Sequence, residues 1–136
     1  MKKLLSLLAF IAMATVGFAQ SETKGKEPQE KPKYEMKQYW FVMLTRGKDR
    51  DKITDTAVIN KLQEGHMANI QAMANMGKLI VAGPFGDDGN WRGIFIFDAL
   101  PKEEVVQLLM QDPAIKAGRL DYEIHPWWTA KGTVFK

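Results

Sequence analysis

The chain contains two histidines and no cysteine among its 136 residues, so chemistry that moves a proton near neutral pH has few places to sit. His66 is the more informative of the two. It shares a helical stripe with Ile59, Leu62, Ile70 and Met73, where an aliphatic side chain is the ordinary choice. An imidazole at such a position titrates in the physiological range and can take or give a proton. The other reading is a core histidine satisfied by a single hydrogen bond. Asp112 is the second candidate. It precedes Pro113, and a residue before proline is driven out of helical geometry. The ordinary role of an Asp there is to cap the short helix that follows.

Other chemistry finds little support. With two histidines and no cysteine, a closed zinc site has little support. Gly83-Pro84-Phe85-Gly86 lacks the Lys and Ser/Thr of a phosphate loop, and Gly65, Gly77 and Gly83 do not have dinucleotide-fingerprint spacing. Ser21 is the only serine beyond the leader, so a serine nucleophile in the folded domain is excluded. Arg92 and Asp87 flank a turn cluster and read as surface charges, and His125 beside Pro126 reads as a surface or interface residue.

The elements that must hold His66 and Asp112 follow from periodicity. Lys37 to Thr45 is a β-rich run in which Trp40, Val42 and Leu44 point one way and Tyr39, Phe41 and Met43 the other. Thr54 or Asp55 caps a helix that runs to about Met76 and stops at Gly77. Leu79 to Ala82 is a second strand ended by Gly83-Pro84. Gly93 to Phe97 is a third, apolar on both faces. A second helix starts at Pro101-Lys102-Glu103-Glu104 and continues through Met110, and Leu120 to His125 forms a fourth strand closed by Pro126. The order β-α-β-β-α-β is the split βαβ, ferredoxin-like motif: an α+β fold with a four-stranded antiparallel sheet and both helices on one face. The opposite face carries Tyr39, Phe41 or their neighbours and large apolar residues of the third strand, which predicts a sheet-to-sheet homodimer.

The N-terminus has a separate logic. Lys2 and Lys3 precede an almost unbroken apolar run from Leu4 to Phe18, too short for a membrane span, and Gly17-Phe18-Ala19 places small residues where a signal peptidase needs them. Residues 1–19 therefore read as a signal peptide cleaved after Ala19. The product is exported, periplasmic or secreted, and has no stable membrane anchor. Residues 20–33 have no large apolar side chain and read as a disordered tether, and 34–136 form the domain. Two of the +3 net charges belong to Lys2 and Lys3, so the mature side chains keep only +1. That balance gives no ground for expecting nucleic acid as a partner.

Several motifs occur together: Gly65-His66, the run Gly77 to Phe85 with its Ala82-Gly83-Pro84 step, Gly89 to Ile96, Gln111 to Gly118, and Glu123 to Trp127. In this order the chain resembles the YciI-like (YCII-related) family from Tyr39 to Trp127. The resemblance implies a ferredoxin-like fold that dimerises through its sheets, as in the dimeric α/β-barrel superfamily, and a site centred on His66 and Asp112. It also implies a lyase or isomerase acting on a small cyclic or aromatic molecule without a cofactor or metal. In that reading His66 is the general base or acid and Asp112 orients its ring. Gly83 and Pro84 shape the pocket wall, and Trp127 or Trp128 closes it by stacking. The alternative is a non-catalytic exported dimer that binds a small molecule in the same pocket. The leader and tether depart from the family's usual form, which begins at the first strand.

Overall fold

The computed structural model describes residues 33–134. The leader, 1–19, and nearly all of the proposed tether, 20–33, lie outside the described residues. Four strands, β1 (Met36–Arg46), β2 (Leu79–Pro84), β3 (Trp91–Phe97) and β4 (Leu120–Ala130), form one antiparallel sheet in the order β2-β3-β1-β4. The helices are α1 (Thr56–Asn75), α2 (Lys102–Leu109) and the single turn α3 (Pro113–Lys116). This is the ferredoxin-like arrangement: β1 and β3 are central, and each βαβ half crosses over to an edge.

The core forms between the helices and one sheet face. Val42 and Leu44 of β1, Phe95 and Phe97 of β3, and Leu79 of β2 meet Met73 of α1, Val105, Leu108 and Leu109 of α2, and Ile115 of α3. The alternation Val42, Leu44 inward and Phe41, Met43 outward follows from the pleat. The Trp40 indole Nε1 donates to the carbonyl of Leu100 at 2.8 Å and pins the β3–α2 connection to the sheet.

The structure extends the edge strands and adds a short helical turn to the elements read from the sequence. β4 does not close at Pro126 but continues to Ala130, and β2 does not stop before Gly83-Pro84 but includes both. Both are edge strands, where a proline can leave its missing N–H on the unpaired side. The loop after β1 also contains a 3-10 turn, Arg50–Lys52.

Candidate active site

α1 starts where Asp55 accepts hydrogen bonds from the backbone N–H groups of Ala57 (2.7 Å) and Val58 (3.3 Å), so of the two possible caps it is Asp55 that serves. It ends as Gly77 adopts φ +68°, a left-handed conformation suited to glycine. Between these limits the apolar stripe faces the sheet, and the stripe carries His66 inward, 8% exposed. The ring stacks on Phe95 of β3, with centroids 6.1 Å apart and planes at 23°.

Asp112 is fully buried at the head of α3. Its two oxygens have different tasks. Oδ1 accepts from the backbone N–H groups of Ala114 (2.8 Å) and Ile115 (3.4 Å), capping the turn. Oδ2 lies 2.6 Å from His66 Nδ1. The cap and the imidazole partner, alternatives at the level of sequence, are thus the same residue using one oxygen for each. Asn69, one turn after His66, adds longer 3.5 Å contacts from Nδ2 to Asp112 Oδ2 and to the carbonyl of Leu108. The sequence reading did not single it out. Its i+3 relation to His66 is the only signal that could have done so.

Burial raises the Asp112 carboxyl. The hydrogen bond from His66, the charge of that ring, and the N–H groups of Ala114 and Ile115 outweigh it and hold the group below the ordinary carboxylate range. An ionised Asp112 can only accept, so His66 Nδ1 carries the proton and Nε2 presents a lone pair when the ring is neutral. Among the described residues Nε2 has no hydrogen-bond partner, and none of their side-chain nitrogens or oxygens is both sealed from solvent and unpaired. His66 also lines a cavity of about 280 Å³, so Nε2 opens into it.

That cavity lies between α1, the β2–β3 edge and the loop after β1. Gly83 and Pro84 both line it, Gly83 through its backbone: a Cβ built on Gly83 meets nothing within 4 Å. Trp127 and Trp128 do not line it, against the expectation that one of them closes the pocket by stacking. Trp127 pairs with Tyr39 on the sheet face away from the helices, the rings 6.3 Å apart. Trp128 lies eight residues along β4 from Leu120, the cavity's β4 residue, a distance of about 26 Å in an extended strand. His125 is exposed on the outer face, with Nε2 3.4 Å from Glu123 Oε2.

Arg92 is not the plain surface charge that the sequence suggested. The β1–β3 register slips between Leu44↔Gly93 and Thr45↔Trp91, leaving Arg92 unpaired. Such a bulge re-aims a side chain, and Arg92 lines the cavity beside Gly93. Arg50 and Arg119 line it as well. None of the three carries a sequence signal, because they come from a bulge, a 3-10 turn and a strand entry.

The model of the YCII-related domain matches residues 40–128, which includes every element of this site. The chain belongs to the YCII-related domain family. Among solved structures, this YCII-related chain is similar to 5-chloro-2-hydroxyhydroquinone dehydrochlorinase (TftG) from Burkholderia phenoliruptrix AC1100, determined in complex with 2,5-dihydroxybenzoquinone. The two are 20% identical over 65% of this chain and 92% of that one, with a TM-score of 0.48. A comparison with curated proteins finds no match.

Proposed function

We propose that this YCII-related protein is an exported, cofactor-independent lyase or isomerase acting on a small cyclic or aromatic molecule. The observation that carries the reading is the His66 Nδ1–Asp112 Oδ2 contact of 2.6 Å with Nε2 left open to a cavity. In this mechanism Nε2 removes a proton from a carbon of the bound molecule, and Asp112 stabilises the imidazolium that forms. An isomerase returns that proton to a second carbon. A lyase instead lets the electron pair form a double bond and expel a leaving group from the neighbouring carbon, and the imidazolium passes its proton to water. General base catalysis of this kind supplies about 10²- to 10⁴-fold. Phe95 beneath the ring keeps its orientation.

The same reading has the protein work as a homodimer. Tyr39, Phe41, Ile80, Ile94, Ile96 and Trp127 give the outer sheet face an apolar hollow of about 590 Å³. A second copy offers a matching surface by symmetry.

The test uses the proton itself. In D₂O, α-angelica lactone, whose isomerisation moves a proton between carbons, and 2,5-dihydroxybenzoquinone report C–H exchange by proton NMR. Wild type is expected to accelerate exchange and His66→Ala to lose it while the fold is kept. If both probes bind wild type without exchange, the non-catalytic binding dimer takes the place of this reading.

A further inference from the structure

We propose that the His66 cavity recognises a small organic carboxylate, whose charged group is held by Arg50, Arg92 and Arg119 while its reacting carbon lies at His66. The inference rests on the acid–base reading of His66 for its second half only, since the anion site stands on the arginines.

Three arginines line this one cavity, and no Asp or Glu does. The carboxyl nearest in function, Asp112, is behind the imidazole and fully occupied by His66, Ala114 and Ile115. Arg92 is partly compensated: its Nη1 donates to Asp88 Oδ1 at 2.8 Å and to the carbonyls of Gly89 (3.2 Å) and Asp87 (3.4 Å). Asp88 is largely in solvent and also accepts from Arg46 at 3.3 Å. Among the described residues, neither Arg50 nor Arg119 has an ion pair. Both side chains are half-buried, and neither charge is neutralised by an ion pair there.

The backbone holds them there. Gly47 N–H donates to the carbonyl of Arg119 (3.1 Å), Asp49 N–H to that of Gly118 (2.9 Å), and Arg50 N–H to that of Gly47 (3.1 Å). A Cβ on Gly47 would collide with the carbonyl of Gly118, so the approach of the β1 loop to the α3–β4 turn depends on that glycine. Burial, and then the charges of Arg119, Arg92 and Arg46, press Arg50 below its ordinary value, with only Asp88 acting the other way. Like charges clamped together by fixed backbone contacts oppose folding, and such local conflicts concentrate at functional sites.

The occupant that resolves the conflict is an anion small enough for about 280 Å³, just below the usual range of ligand pockets. The guanidinium fork matches a carboxylate in two hydrogen bonds. Leu44, Ile70 and Phe95 give the rest of the wall an apolar surface suited to a carbon ring. The same charges would stabilise negative charge that develops on a carbon losing its proton to His66.

Benzoate and benzamide, alike in shape and different in charge, test this on the full chain by calorimetry, with inorganic phosphate as a third probe. Benzoate is expected to bind at least about tenfold more tightly than benzamide and more tightly than phosphate, with an affinity that falls as salt rises. Arg50→Gln and Arg119→Gln should each remove most of that preference, weakening benzoate far more than benzamide. Equal binding of the two aromatics, phosphate binding tighter than benzoate, or Gln variants that keep the preference would overturn the proposal. Should the Gln variants fail to fold, the salt dependence in wild type decides, and a benzoate affinity indifferent to salt overturns it. His66→Ala separates the two readings. It should keep the benzoate preference, so loss of proton exchange alone concerns His66 and loss of preference alone concerns the arginines.

Discussion

Gly65 rests directly on Pro113: a Cβ built at position 65 would lie 2.5 Å from Pro113 Cγ. His66 and Asp112 are the next residue on one side and the preceding residue on the other, so this contact sets how closely α1 approaches α3. A methyl group there cannot be absorbed by a flexible side chain, because the atom it meets belongs to a ring.

Gly65→Ala is accordingly expected to lose stability despite the better helix propensity of alanine. Propensity offers about 1 kcal/mol, whereas overpacking of a fixed contact costs about 1–3 kcal/mol. Urea denaturation measures the sum. A variant more stable than wild type would mean that α3 moves freely. The His66–Asp112 hydrogen bond should weaken with it, visible as a shift of the His66 Nδ1 proton resonance.

Asp112 variants separate capping from chemistry. Asn keeps an oxygen that can accept from Ala114 N–H, so Asp112→Asn should fold. It loses the carboxylate that fixes the tautomer of His66, and proton-exchange activity should fall by about 10²-fold or more. Asp112→Ala loses the cap as well, costing a further ~1 kcal/mol. Equal activity of wild type and Asp112→Asn in the exchange assay would remove the carboxylate from the mechanism.

The acid response should carry the mark of Asp112. Its folded carboxyl lies below the ordinary value, so the unfolded chain takes up that proton first as pH falls. The stabilisation is complete above the unfolded value, about 4, and is lost as pH drops through the folded one. Melting temperatures of wild type and Asp112→Asn should therefore converge below about pH 4. Convergence already at neutral pH would contradict this origin.

The dimer prediction concerns the outer face. Phe41 is paired in register with Ile96 and His125 there. Phe41→Glu should convert a micromolar dimer to a monomer by light scattering without a large change in melting. The wild-type interface should bury more than about 1,000 Å². A wild type that is already monomeric refutes it.

Export predicts a defined mature end. The mass of the exported protein should correspond to a chain beginning at Gln20, with or without cyclisation to pyroglutamate. A mass that retains Met1 to Ala19 would contradict cleavage at that site.

The element order, the inward stripe of α1 and the two-faced apolar strands were all legible in the residues. These are written in local spacing: a period near four around His66 and a period of two around Phe41. The sequence also marked His66 and Asp112 as anomalies, the first by polarity on a core face and the second by its place before Pro113. That the two side chains meet depends on the packing of distant segments. This packing rests on the missing side chain of Gly65 and on the crossover that brings α3 beside α1, contacts separated by 46 residues in the His66–Asp112 case. Tertiary structure also decided which strand faces lie together, putting Trp127 away from the cavity. The gathering of Arg50, Arg92 and Arg119 was equally illegible in advance. Each arginine sits in an irregular segment whose side-chain direction follows from a bulge or a turn rather than from any repeat, so periodicity has nothing to report there.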